Sequence, residues 1–252
     1  FIQTNNAGDW WPRMVMLKIL QQHYLATGDQ RVIDVMSKYF RYQLKMLPDN
    51  PLHLPGSRKG GSWWAGQRGG DNLMSVLWLY NITGEKYLLE LADLIYKQTV
   101  PWKEYFQNGD ALKLHVDQPA CPYDNMKLFH GKHWRGGNAF HCVNLAMGMK
   151  TPVIRYQQTG DQGDIDAVKK AFRDLEAFQG LPNGLYGGDE RMHGPSLDRG
   201  TELCTIVEMM YSLEKMIEIS GDVAWADRLE KIALNALPSQ VTSDHKKRQY
   251  FS

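Results

Sequence analysis

Arg155-Tyr156-Gln157-Gln158-Thr159-Gly160-Asp161 separates two apolar runs, and its reading decides the fold. Leu145, Met149 and Ile154 precede it; Ile165, Val168, Ala171, Phe172 and Leu175 follow. Both sets keep the spacing of one face of an α-helix. A glycine closing the first run suits a left-handed C-cap, because it has no Cβ to clash there. The aspartate after it suits the start of a second helix, as cap or first-turn charge. The stretch predicts two antiparallel helices joined by a very short turn.

The same phrase recurs as His23-Tyr24-Leu25-Ala26-Thr27-Gly28-Asp29, as Leu79-Tyr80-Asn81-Ile82-Thr83-Gly84-Glu85 and as Glu218-Ile219-Ser220-Gly221-Asp222. The four glycines lie 56, 76 and 61 residues apart. Met16, Ile19, Leu20 and Tyr24 precede the first turn; Val32, Ile33, Val35, Met36 and Phe40 follow. The second and fourth turns have similar flanks, and strand-like alternation is scarce. Repeats of this length mean stacked helical hairpins. The connections between hairpins run to roughly 15–30 residues, which is long for a loop. They are rich in Gly, Trp, His, Asp and Arg and collect at the end opposite the short turns. Binding and chemistry concentrate in such loops. An open solenoid remains an alternative, but these connections favour a closed α/α toroid. The expected fold is all-α, a six-hairpin glycosidase-like toroid that is incomplete in this chain. Residues 1–252 form part of one α/α-barrel catalytic domain on this reading. The ends, Phe1-Ile2-Gln3 and Tyr250-Phe251-Ser252, carry no initiator Met, signal peptide or polar tail, so a segment of a longer protein is expected.

The composition is that of a globular protein, 43% hydrophobic and 23% charged. A net charge of +1 gives no field for nucleic acid or an anionic membrane. No apolar run approaches the ~20 residues of a membrane span. Cys121, Cys142 and Cys204 are too few and too widely spaced for a disulfide framework, and the first two read as small buried side chains. Several of the eight Trp fall in Gly-rich stretches, where an indole either covers a core edge or stacks on a sugar ring.

Five stretches carry residues for chemistry. Asp9-Trp10-Trp11-Pro12-Arg13 is either a helix start or an acid with indoles facing a sugar, with Asp9 and Trp10 as candidate substrate contacts. Trp64-Ala65-Gly66-Gln67-Arg68-Gly69-Gly70-Asp71-Asn72 offers Trp64, Arg68 and Asp71, with Asp71 also suited to an N-cap. His130, His133 and His141 fit no common zinc spacing; His141 suits a hydrogen bond to substrate. Gly187-Gly188-Asp189-Glu190-Arg191-Met192-His193-Gly194 precedes Arg199-Gly200-Thr201-Glu202-Leu203-Cys204. Asp189 is a candidate substrate contact. Glu190 and Glu202, twelve residues apart, provide the paired carboxylates of glycoside hydrolysis. Glu202 and Cys204, two apart at a helix start that favours a thiolate, suit one metal ion or simply a capped turn.

Gly200-Thr201-Glu202-Leu203-Cys204-Thr205-Ile206-Val207-Glu208, and the run from Ala226 to Pro238, resemble glycoside hydrolase family 127, the β-L-arabinofuranosidase-like family. So do Asp9-Trp10-Trp11-Pro12-Arg13, Arg68-Gly69-Gly70-Asp71-Asn72-Leu73 and His141-Cys142-Val143-Asn144-Leu145-Ala146-Met147, in the same order. The resemblance implies a retaining, exo-acting hydrolase of β-L-arabinofuranose or another unusual plant cell-wall sugar. It implies a cysteine nucleophile beside zinc, with Glu202 and Cys204 as two zinc ligands and Glu190 as acid/base. The nucleophile and the other ligands would lie in an adjacent cysteine pair, which this sequence does not contain. Gln179 stands where the family has His. The implied partner is a glycan, and a secreted or periplasmic setting is expected from that substrate class. A carboxylate-pair glycosidase or lyase, and a non-catalytic carbohydrate-binding scaffold, remain alternatives.

Overall fold

A computed structural model of the chain describes residues 9–52, 62–107, 111–113, 140–197 and 200–251. Cys121, His130 and His133 lie outside the described residues. The chain divides into two compact units, Phe1–Pro101 and Trp102–Ser252.

In the first unit, helices α1 (Trp11–Thr27) and α2 (Gln30–Met46) form a hairpin about Gly28. The short α3 (Ser62–Gln67) precedes a second hairpin, α4 (Gly69–Thr83) and α5 (Tyr87–Gln98), about Gly84. Helix α4 is buried from Gly69 through Leu77, whereas α2 and α5 bury one stripe each, as at Val32, Met36 and Phe40 or Leu88, Leu91 and Ile95.

In the second unit, the short α6 (Trp102–Gln107) precedes the hairpin of α7 (Cys142–Thr159) and α8 (Gln162–Phe178) about Gly160. Two-residue strands β1 (Gly188–Asp189) and β2 (Arg191–Met192) follow. The hairpin of α9 (Leu203–Ser220) and α10 (Val223–Asn235) turns at Gly221. Helix α7 is buried from Cys142 to Ile154 and packs on α9, where the Ser212 hydroxyl donates to Ala146 O at 2.7 Å. Gly148 admits the buried Trp102 ring, which a Cβ there would meet at 2.4 Å.

The turns form as their residues predict. Gly28, Gly84, Gly160 and Gly221 have φ of 69°, 69°, 66° and 66°, a region that costs other residues energy. Asp29, Asp161 and Asp222 cap the next helix by accepting from Arg31, Gly163 and Ala224 N–H. Glu85 differs: its carboxylate meets Arg41 at 2.7 Å, and Lys86 holds the cap position.

Some expectations need correction. Asp71 is not an N-cap: Arg68 holds that position, and Asp71 sits inside the first turn of α4. The connection from 99 to 141 exceeds the expected 15–30 residues and includes α6. Met16 and Ile19, two of the apolar residues spaced before the first turn, are 54% and 55% exposed. Helix α1 carries apolar residues all round, so spacing alone does not choose its buried face, which is formed by Met14 and Leu17.

Candidate active site

The second unit gathers its chemistry where the start of α7, the β1–β2 hairpin and the start of α9 meet. His141 is the N-cap of α7, and its Nδ1 accepts from Asn144 N–H at 3.3 Å. In a neutral ring the proton therefore sits on Nε2, which donates to Glu190 Oε2 at 3.0 Å. Glu190 is the single residue between β1 and β2 and has φ of 81°. The hairpin is held to α7 by Cys142 N–H donating to Glu190 O at 3.0 Å. The Glu190 side chain is 57% exposed, so its second oxygen can meet a ligand.

Glu202 is the N-cap residue of α9, but its side chain makes no capping bond. Its backbone N–H donates to Gly188 O at 3.0 Å, and the residue bridges Phe251 on the other side. The carboxylate is held between two donors: the Tyr250 hydroxyl donates to Oε1 at 2.7 Å, and the Cys142 thiol donates to Oε2 at 3.4 Å. Glu202 is 2% exposed and forms no ion pair among the described residues. Ligand atoms of His141, Glu190 and Glu202 all lie within 4.8 Å of one another.

Cys142 and two phenols surround this carboxylate. Burial pushes the Cys142 thiol up, and Glu202 pushes it further, which keeps it a protonated donor. Tyr186 donates to Cys142 O at 2.8 Å, and burial, then Cys142 and Glu202, raise its phenol well above the ordinary range. The bond to Glu202 is the largest cause raising the Tyr250 phenol, to which Cys204 also contributes. Cys204 is half-buried as the second residue of α9.

The resemblance implies zinc on Glu202 and Cys204; among the described residues, the ligand atoms that gather within 4.8 Å of one another are those of His141, Glu190 and Glu202. A carboxylate and a sulfur suit that ion's ligand preferences. A buried carboxylate without an ionic partner among the described residues, and not used to cap its helix, lacks the counter-charge that a cation supplies.

Asp189 pairs with His193 in the same hairpin. Gln179 is buried, with its amide donating to Leu112 O at 2.9 Å and accepting from Gly194 N–H at 3.0 Å. The remaining candidates belong to the first unit. Trp10 is fully buried, and its indole N–H donates to Asn50 O at 2.9 Å. Asp9 accepts from Trp11 N–H at 2.9 Å; burial raises its carboxyl, while that N–H, Arg13 and Arg68 pull it down. The Arg68 guanidinium lies between the Trp11 and Trp64 rings, 4.4 and 4.2 Å from their centroids. Asp71 is buried and meets Lys18 Nζ at 2.8 Å. Tyr250, Tyr186 and the thiol of Cys142 were not recognised from sequence as parts of the site. No periodicity points to them, because their contacts with the site elements span between 44 and 60 residues.

Solved structures similar to the chain include several glycoside hydrolases. Ara127N-Se, a GH127 β-L-arabinofuranosidase from Geobacillus stearothermophilus T6, is 18% identical, with a TM-score of 0.60 over 94% of this chain and 37% of that one. The GH127 β-arabinofuranosidase BT3674 is also 18% identical, with a TM-score of 0.60 over 96% of this chain and 35% of that one. An inactive variant of the α-1,6-mannanase GH76A of Salegentibacter sp. HEL1_6, in complex with α-1,6-mannotetrose, is 16% identical, with a TM-score of 0.59 over 94% and 63%. These likenesses place the fold in the all-α, helical-toroid class. Residues 4–252 match the family described as β-L-arabinofuranosidase, GH127 catalytic domain, and the chain belongs to that family. It spans about a third of the length of the GH127 structures it matches. No curated protein matches it. Among the described residues no helix is long and apolar enough to cross a membrane.

Proposed function

We propose that the chain is part of the catalytic domain of a retaining, exo-acting glycoside hydrolase that releases β-L-arabinofuranose or a related plant cell-wall sugar. Residues 1–252 form one portion of that α/α-barrel domain. Glu190 is the acid/base, and Glu202 with Cys204 supplies two ligands to zinc. The nucleophilic cysteine comes from outside this sequence. Zinc, when bound, holds that sulfur deprotonated and in place. The residues of this chain do the rest. His141 donates to one oxygen of Glu190 and leaves the other, on an exposed turn, to exchange a proton with the leaving group. Asp9, Trp10, Trp64, Arg68, Asp71 and Asp189 are the proposed determinants of sugar binding. Trp64 and Arg68 act through the stacked guanidinium and indole, while Trp10, fully buried, acts by packing rather than by touching the sugar.

The observation that carries this reading is the contrast between the two carboxylates. Glu190 is exposed on a tight turn, whereas Glu202 is sealed behind Tyr250 and Cys142. A nucleophile has to reach the anomeric carbon, and a sealed carboxylate suits a metal ligand better. The close approach of Glu190 and Glu202 favours a second reading, a conventional carboxylate pair, whose groups stand about 5–5.5 Å apart in retaining enzymes. Zinc analysis of the intact protein separates the two. The first reading expects about one zinc per chain, much weakened in Cys204→Ala. Protein prepared without chelator and free of zinc would instead favour the carboxylate pair. Glu190→Gln is expected to lower turnover of glycosides with poor leaving groups by about 10²–10⁴-fold, with a much smaller loss on activated aryl glycosides. Equal activity on both substrate types would remove Glu190 from the acid role.

A further inference from the structure

Glu202 is an N-cap residue whose carboxylate does not cap. Something else has to hold it, since a free carboxylate at a helix start turns back to the exposed N–H groups. Two donors do so, one on each oxygen. The Cys142 thiol reaches Oε2 from the first turn of α7, and the Tyr250 hydroxyl reaches Oε1 from the chain's last described segment. That segment is itself fixed: Leu203 N–H donates to Tyr250 O at 2.8 Å, and Phe251 pairs with Glu202. Cys142 is fixed by its N–H to Glu190 O and by Tyr186 donating to its carbonyl. Both donors are neutral, so they orient the carboxylate without cancelling its charge.

We propose that Cys142 and Tyr250 are positioning residues for Glu202. Together they fix the plane of its carboxylate, leave one lone pair on each oxygen, and so set the affinity of the Glu202–Cys204 half-site for its metal. The proposal rests on the zinc reading above. Hydrogen bonds to a ligating carboxylate act in this way, and their loss costs about 10–100-fold in metal affinity.

The test is zinc affinity of the intact protein, measured by chelator competition, for wild type, Tyr250→Phe, Cys142→Ala, Cys142→Ser and Glu202→Ala. Tyr250→Phe and Cys142→Ala are each expected to weaken zinc by about 10-fold or more. Cys142→Ser keeps a donor and should stay near wild type, a rescue that simple loss of packing would not give. Tyr250 is 51% exposed, so the Phe variant is expected to melt like wild type in the zinc-free state and keeps the test decisive if Cys142→Ala misfolds. Cobalt substitution gives a second readout, since the sulfur-to-cobalt absorption from Cys204 is expected to persist in Tyr250→Phe. Unchanged zinc affinity in Tyr250→Phe, with zinc lost in Glu202→Ala, overturns the positioning role alone. Unchanged affinity in Glu202→Ala overturns the half-site itself.

Discussion

At the scale of single residues, the informative position is Glu190, a non-glycine at φ of 81°. A side chain in that region costs of order 1–3 kcal/mol, and such cost collects at functional sites. The turn aims the carboxylate outward while His141 holds it from behind. Glu190→Gly is therefore expected to raise stability by about 1 kcal/mol in urea unfolding, after the entropy a glycine adds to the unfolded chain. The same change should abolish the acid's contribution to turnover. Unchanged or lower stability would show that the turn carries no strain. The sequence revealed Glu190 and Glu202 because both flank a glycine-rich loop before a helix. It also singled out His141, but not its bond to Glu190, which depends on a cap fixing the ring tautomer. Cys142 read only as a small buried side chain, and Tyr250 drew no reading beyond its place at the chain's end. Trp10, considered as an indole facing sugar, lies wholly in the interior, and the choice between core edge and platform depends on packing that local sequence does not encode.

At the scale of elements, the hairpin turns were legible because their chemistry is local: a glycine at positive φ, then a cap. The capping aspartates make a pH prediction. Lys103 holds Asp161, and Lys169 holds Asp222, below the ordinary carboxylate value of 3.8, each with help from a backbone N–H. The stability each adds is fully present above that value and is lost as pH falls through the lower folded value. Asp222→Asn keeps a capping oxygen but removes this titration, so its unfolding free energy is expected to fall less steeply than wild type on acidification below about pH 4. Parallel acid limbs would rule out the coupling. Packing between elements was not legible. Gly148 in α7 looked like any helical glycine, yet a Cβ there would sit 2.4 Å from Trp102. Gly148→Ala gains about 0.5–1 kcal/mol in helix propensity and loses more to overpacking. A net destabilisation of about 1–2 kcal/mol is expected in thermal melts, and a rise in Tm would mean the indole has room to move.

At the scale of the whole molecule, the question is which apolar surface this chain leaves open. Helix α1 is apolar on every side, with Met14 and Leu17 inside and Val15, Met16 and Ile19 facing out. Helices α2 and α5 each bury a single apolar stripe, and apart from Val35 of α2 their exposed residues are polar. Ile19 lies four residues after Val15 and three after Met16, so it neighbours both on one face of α1 and the three exposed side chains form a patch. Soluble monomers rarely leave such a patch uncovered. The GH127 structures that share this fold are almost three times as long as the portion it covers, which leaves them ample further chain to pack on such a face. Residues 1–252 expressed alone are thus expected to self-associate, visible as a sedimentation coefficient that rises with concentration. Replacing Met16 with Lys and Ile19 with Glu together should reduce that association without loss of helical circular dichroism, because both side chains are already more than half exposed. A monomer at every concentration would mean that the α1 face is tolerated in water, and association unchanged by the double substitution would move the sticky surface away from α1.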